Sequence, residues 1–384
     1  MQDMQVSGRA PGRLVPYGRR PYYKPEPLPP GRELSLGSEF YTTLSNATFW
    51  LGKLSGISTA VEFSPVLYTS LLRKEAMEST QIEGAEVDMN TLYRHETRQP
   101  GAEASRDEHE AETKDVAEVL NYEQAVEEGV EALGSGGVST GLLQSLHETL
   151  LTGVRSDTDT LGAFRRQPVN LGGFVPPEPG TVEGAMDALL TYIRTGGSYH
   201  GIVDIALVHY QFETIHPFGD GNGRLGRLLI ALQLLDQGYL AQPNLYLSEF
   251  FNRNKETYVE RLQGVRTNGA WEDWLAFFVR GVERQAHESF ERSVELRTLH
   301  REYHERYDGR SRADARLALA LFEQPYLTAN DVQDILDVTG PTAYRAIHRL
   351  EDEGVLEEVT GKQRNREYRA ADIFAVLERP PETY

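Results

Sequence analysis

Residues His216 to Arg227 read HPFGDGNGRLGR, and their types define a chemistry before any fold is considered. An imidazole titrates near neutrality, so His216 is able to take a proton from a hydroxyl nucleophile. Asp220 is a lone carboxylate, and Mg²⁺ is commonly held by one or two carboxylates together with substrate phosphates. The stretch RLLIALQLLDQGYL that follows has helical character, which places the glycines in a loop at a helix N-terminus. Free backbone N–H groups and the positive dipole end gather there and form an anion site. Arg224 and Arg227 fall in the first helical turn, where cations oppose the dipole and a polyanionic ligand would remove the conflict. The set points to phosphoryl or nucleotidyl transfer, a reaction governed by positioning and charge stabilisation. A zinc site does not fit, because the ten histidines include no H-E-x-x-H pattern and the chain has no cysteine.

Two plainer readings fail on context. GNGRLG, Gly221 to Gly226, matches the dinucleotide-binding pattern G-x-G-x-x-G, but that pattern needs a preceding strand. Ile202, Ile205, Ala206, Val208, Phe212 and Ile215 instead recur at helical spacing. A solvated turn between core helices accounts for Gly223 but not for His216, Asp220, Asn222 and two arginines together.

The elements expected to position this loop are helices. Ser64 to about Glu83 forms one, with Ser64 as cap, proline at its first position and Gly84 as its stop. QPGAEASRDEHEAETKD, residues 99 to 115, reads as a charged loop leading into a helix through AEVLNYEQAVEEGVEAL. Further helices are expected at about 139–152, 181–194, 201–215, 224–237, 254–267 and 271–304. RRQPVNLGGFVPPEPG, residues 165 to 180, is the exception: short β-prone pieces around Gly172 and Gly173 suggest a hairpin-like flap. The first 35 residues, rich in Pro, Gly, Arg and Tyr, read as an extended arm.

At 384 residues the chain has material for two or three domains. No run of 18 apolar residues spans a membrane, and the N-terminus lacks an apolar leader, so the expected location is the cytoplasm. Absence of cysteine fits a reducing compartment. A formal charge of −19 opposes wholesale nucleic-acid binding, so any DNA contact must be local.

The motif at His216 to Arg227 resembles the signature of Fic domains, H-x-F-x-D/E-G-N-G-R-x-x-R, at every defined position. The LGGFVPP flap, the flanking helices and TYVERLQGV are similar to the Fic core over about residues 135–285. The resemblance implies an all-α core with a β-hairpin flap and transfer of AMP from ATP to a Ser, Thr or Tyr hydroxyl of a protein, the chain itself included. It makes His216 the general base and Asp220 the Mg²⁺ ligand. Gly221, Asn222 and Gly223 would cradle the α- and β-phosphates; Arg224 and Arg227, flanking Leu225 and Gly226, would hold the outer ones. Leu171, Gly172, Gly173 and Phe174 would cover the nucleotide and pair with the target backbone, and Tyr258 would line the adenine pocket. Related Doc-type kinases carry Lys where this chain has Gly223, a departure that favours AMP transfer.

STQIEG, Ser79 to Gly84, is similar to the inhibitory motif S/T-x-x-x-E-G/N of that family. Glu83 in a last helical turn faces the negative dipole end and would gain from an arginine. The resemblance supplies Arg227 as partner, with Ser79 helping to fix the helix and the γ-phosphate displaced. De-AMPylation and transfer from another nucleotide stay open.

From Ser311 three short helices and two β-prone pieces around a basic turn follow the layout of a winged helix-turn-helix. Tyr344, Arg345, His348 and Arg349 on its third helix, with Lys362, Arg364, Arg366 and Arg369 on the wing, suit phosphate contacts. Acidic neighbours dilute the patch, so both DNA binding and protein docking remain, and an ATP-sensing transcription regulator is the rival to an enzyme. The expected organisation is an arm (1–35), a helical region (36–134) with the inhibitory helix at 64–84, a Fic core (135–285), a connecting helix (286–310) and the winged helix (311–384).

Overall fold

The computed structural model describes residues 5–16, 21–59, 65–97, 106–154, 160–245, 247–309 and 312–380; Ser64, expected as a helix cap, lies outside them. At the centre are two helices joined by the motif loop, α7 (Gly201–Ile215) and α8 (Asn222–Asp236). From Ile202 to Ile215 every residue of α7 except Asp204 is buried. A helix buried on all sides belongs inside a core, which is why α7 shows little amphipathic pattern. Around this pair stand α1 (Ser38–Ser58), α2 (Pro65–Ile82), α3 (Met89–Thr97), α4 (Arg106–Gly136), α5 (Thr140–Leu151), α6 (Val182–Thr195), α9 (Leu247–Arg253), α10 (Lys255–Asn268) and α11 (Trp271–Tyr307). A Cβ on Gly129 of α4 would come within 2.9 Å of Leu232 of α8, so this glycine lets the two helices approach closely.

The mostly helical fold with small antiparallel sheets agrees with the expected class. Two local readings change. Helix α4 begins at Arg106, inside the segment read as a charged loop; Ala, Glu and Lys in EAETKD are good helix formers, and charge alone does not break a helix. The arm carries a hairpin, β1 (Gly12–Val15) paired antiparallel with β2 (Tyr22–Pro25). Four-residue strands are too short to display a period of two. The hairpin docks at the flap: Tyr23 is fully buried, its N–H donates to the Val175 carbonyl at 2.8 Å, and its ring meets Phe174 edge-on. Helix α11 runs unbroken, one half beside α1 and the other against the C-terminal elements.

Those elements are α12 (Ala313–Ala320), β3 (Tyr326–Thr328), α13 (Ala329–Leu336), α14 (Gly340–Asp352), β4 (Leu356–Glu358), β5 (Glu367–Ala370) and α15 (Ala371–Glu378). The strands form an antiparallel sheet in the order β3-β5-β4, with Tyr326 opposite Arg369 and Leu356 opposite Ala370. Thr328 and Asp331 close a reciprocal capping box on α13. This part shares a core with the helical region: Tyr93 stacks on Tyr326 and meets Phe374 edge-on. Lys74 of α2 donates to the Leu377 carbonyl and Arg292 of α11 to the Arg379 carbonyl.

Candidate active site

The motif loop is held shut by its own amide. Asn222, 1% exposed, accepts from the Phe218 N–H at 2.9 Å and donates to the Phe218 carbonyl at 3.0 Å. Phe218 is buried and stacked on His147 with centroids 3.9 Å apart, while His147 Nε2 bonds the Asp220 carbonyl. Gly221 takes a left-handed φ of 73° at the start of α8, a conformation that glycine adopts without steric penalty. The Asp220 carboxylate lies at this helix N-terminus and accepts from the Gly221 N–H at 2.8 Å.

His216 ends α7 in a left-handed conformation, with φ 49° and ψ 64°. Arg165 pins it: Nε donates to the His216 carbonyl at 2.7 Å, and Nη2 to the carbonyls of Pro177 at 2.6 Å and Ile215 at 3.3 Å. One buried guanidinium thereby ties the motif loop to the segment after the flap. Burial, then the positive charges of Arg266 and Arg165, push the His216 imidazole down to about 4. The ring is neutral at pH 7 and able to accept a proton. Its Nδ1 is buried and makes no hydrogen bond among the described residues.

The flap is a minimal hairpin. Leu171 and Phe174 exchange backbone hydrogen bonds of 2.8 and 3.0 Å across Gly172 and Gly173, both at positive φ. Leu171 is exposed, whereas Phe174 is buried beneath the Arg266 guanidinium, 4.2 Å from its ring. Tyr258 is 5% exposed; its hydroxyl bonds His209 Nε2 at 2.7 Å and its ring stacks on Phe251. Its ring therefore belongs to an aromatic core cluster rather than to an open base pocket.

The arginines of α8 meet carboxylates from two other helices. Arg227, 3% exposed, donates through Nε to Ser79 Oγ and through Nη2 to the Ser79 carbonyl and Glu83 Oε1, each at 2.8 Å. Burial works against the charged form of Glu83. The charge and hydrogen bond of Arg227, with Arg224 beyond it, outweigh burial and hold the carboxyl below its usual range. Gly84 follows at φ 106°, and Lys255 caps the end of α2 by donating to the Ile82 carbonyl at 2.6 Å. Arg224, 1% exposed, pairs with Glu118 of α4 at 3.1 Å. Sequence reasoning brought together His216, Asp220, Arg227, Ser79 and Glu83; it missed Arg165, Arg266 and Glu118. Only Arg165 had a signal, its place at the start of the flap segment.

Among the described residues no group of three or more His, Asp or Glu side chains could hold a metal ion. A single carboxylate beside a helix N-terminus suits a cation that arrives with phosphates, as Mg²⁺ does, rather than a resident metal.

Residues 41–131 match the Fic/DOC family N-terminal model and residues 137–234 the Fic/DOC family model, and the chain belongs to the Fic/DOC family. It is similar to proteins named Protein adenylyltransferase Fic from Aedes aegypti, 33% identical over 125 residues, and Drosophila willistoni, 42% identical over 80 residues. These matches cover 32% and 20% of this chain but only 24% and 16% of those relatives. In fold it resembles a Fic family protein from Desulfovibrio desulfuricans, with TM-score 0.57 and 20% identity over 89% of this chain and 98% of that one.

Proposed function

We propose that the chain is an autoinhibited, Mg²⁺-dependent protein adenylyltransferase. The arrangement that carries the reading is a neutral, half-buried His216 just before the N-terminus of α8, whose Arg227 is engaged by Glu83. A protein hydroxyl attacks the α-phosphorus of ATP and loses its proton to the His216 imidazole. The bond from that phosphorus to the bridging oxygen breaks, pyrophosphate leaves, and AMP remains on the Ser, Thr or Tyr oxygen. Mg²⁺, held by Asp220, would supply charge neutralisation on the phosphates when bound. The α8 N–H groups and arginines hold the phosphates, and Asn222 keeps the loop in shape. The outer edge of the flap, beside Leu171 whose own N–H and carbonyl are spent on Phe174, would pair with an extended target segment. With Glu83 on Arg227, the γ-phosphate has no seat.

Label transfer tests this. The Glu83→Gly chain with Mg²⁺ and α-labelled ATP should label protein, itself included, and His216→Ala in that background should not. Label only from γ-labelled ATP would mean a kinase; label from neither would sink the proposal in favour of a nucleotide sensor. The chain's C-terminal basic residues lean toward protein docking, because His348, Arg349 and Arg369 face Glu351, Asp314 and Glu357. No helix among the described residues is long and apolar enough to cross a membrane.

A further inference from the structure

The two arginines in the first turns of α8 are held by carboxylates of different kinds. Glu83 stands just beyond the last residue of α2, its side chain 41% exposed, with Gly84 next in the chain. Glu118 stands within α4, its side chain 10% exposed, between core residues Val116, Val119 and Tyr122, each fully buried. Helix α4 is itself anchored: Asn121 donates to the carbonyls of Leu150 and Thr152, and Gly129 abuts Leu232. Glu83 reaches its arginine from a partly exposed helix end, whereas Glu118 reaches its own from within a core helix.

The arginines differ in the same sense. Arg227 spends Nε and Nη2 on α2. Arg224 makes one ion pair, to Glu118, and its buried Nε has no partner among the described residues. A guanidinium has five N–H donors in a planar fork that matches phosphate oxygens. Arg224 follows Gly223, whose Cβ would meet Glu83, and its charge helps to hold that carboxylate ionised.

We propose that Glu118 is a positioning residue for nucleotide: it clips Arg224 from behind so that the remaining N–H groups face the outer phosphates once Glu83 withdraws. The clip is permanent and the brake removable. This rests on the nucleotide-transfer reading above and adds a residue to it. A buried cation at a helix N-terminus opposes the dipole, and without the clip it would turn away or draw in water.

The test is isothermal titration calorimetry of the full-length chain with Mg²⁺, comparing ATP with AMP, which has no outer phosphates. Against Glu83→Gly, adding Glu118→Ala should weaken ATP binding about tenfold, the scale of one charge-assisted hydrogen bond, and change AMP binding less than about twofold. Glu118→Gln keeps an acceptor for Arg224 and should lose only about threefold. Adding Glu118→Ala to Glu83→Gly/Arg224→Ala should cost nothing further. Equal weakening of ATP and AMP, unchanged ATP binding, or a full additional loss without Arg224 would each overturn the proposal. If Glu118→Ala does not fold, as judged by circular dichroism, the Gln variant decides by the same ATP-to-AMP comparison. If Glu83→Gly binds neither nucleotide, the nucleotide reading fails first and the inference falls with it.

Discussion

Gly223 offers a test of the brake that does not depend on activity. A Cβ built there would lie 2.1 Å from Glu83 Oε1 and 2.9 Å from Arg227 Nη1, distances that real atoms do not tolerate. Both neighbours are ends of flexible side chains, so Gly223→Ala should fold, with the Glu83 carboxylate pushed off Arg227. Breaking a charge-assisted hydrogen bond costs roughly 1.5–3 kcal/mol; solvent at the 41% exposed Glu83 side chain lowers this to about 1–2 kcal/mol. Against it stands the ordinary gain of about 0.5–1 kcal/mol when Ala replaces Gly within a helix. Gly223 lies in α8 and not at positive φ, so that gain is available. Gly223→Ala should therefore destabilise the wild-type chain slightly and stabilise Glu83→Gly, a reversal of sign with a coupling of about 1–2 kcal/mol. Urea unfolding of the four chains in the cycle measures it. Additivity within about 0.5 kcal/mol would show that Glu83 does not occupy the Gly223 site, and the structural basis of the brake would be lost.

Three other outcomes follow from buried groups. Burial pushes the Glu75 carboxyl up to about 8 despite hydrogen bonds from Ser248, so its stabilising contribution is complete below its unfolded value of 4.5 and is lost as pH rises through 8. Melting temperature should fall from pH 6.5 to 9, and Glu75→Gln should flatten that fall; Glu213, pushed up to about 7 by burial, leaves a residual slope. Glu249 is 1% exposed and pairs with Arg292 and Lys74, so Glu249→Ala should cost about 3–5 kcal/mol in urea unfolding by stranding two buried cations. Arg165→Ala in the Glu83→Gly background should reduce label transfer up to about a hundredfold by releasing His216, with thermal unfolding checking that the fold survives; unchanged transfer would separate Arg165 from the site.

What could be read from the sequence was what the chain keeps contiguous. The loop from His216 to Arg227 and the helix after it form one local unit, so residue types and the dipole conflict exposed an anion site without knowledge of the fold. Helices α5 to α8 showed themselves through apolar spacing. Glu118 shows the opposite case: it follows EHEAETKD, where an acidic residue reads as a solvated face, and only the packing of α4 on α8 reveals its burial. Arg165 and Arg266 act on the His216 carbonyl and the Thr214 hydroxyl about 50 residues away, at separations that no short pattern encodes. Helix α1 was not delimited within the helical region expected over 36–134, and its N-cap, Gly37, makes no side-chain capping bond. The aromatic run that surrounds Tyr258 comes from α7, α9 and α11, so its inward placement is a property of packing alone.

On the proposed reading, the two carboxylates that meet the α8 arginines separate the demands of folding from those of ligand response. Two buried guanidinium groups at a helix N-terminus need anions, or the folded state bears unpaired charge. Were both anions fixed in core helices, no nucleotide could displace them; were both mobile, the arginines would lose their geometry whenever the brake opened. Glu118 is fixed by its neighbours on α4, and Glu83 is placed where its helix ends. A pair worth about 1–2 kcal/mol corresponds to a population ratio of about 5 to 30, small enough to be reversed by a ligand with modest preference for the open state. Helix α2 need not unfold for this: Lys74, Glu75 and Lys255 hold it against α9, α10 and α15 while only the Glu83 side chain turns. Unchanged amide exchange along α2 on adding Mg²⁺ and ATP would support that turn, because a side-chain rotation breaks no backbone hydrogen bond. Exchange spreading along all of α2 would show instead that the whole helix is the moving part, and the assignment of Glu83 as a side-chain brake would have to be abandoned.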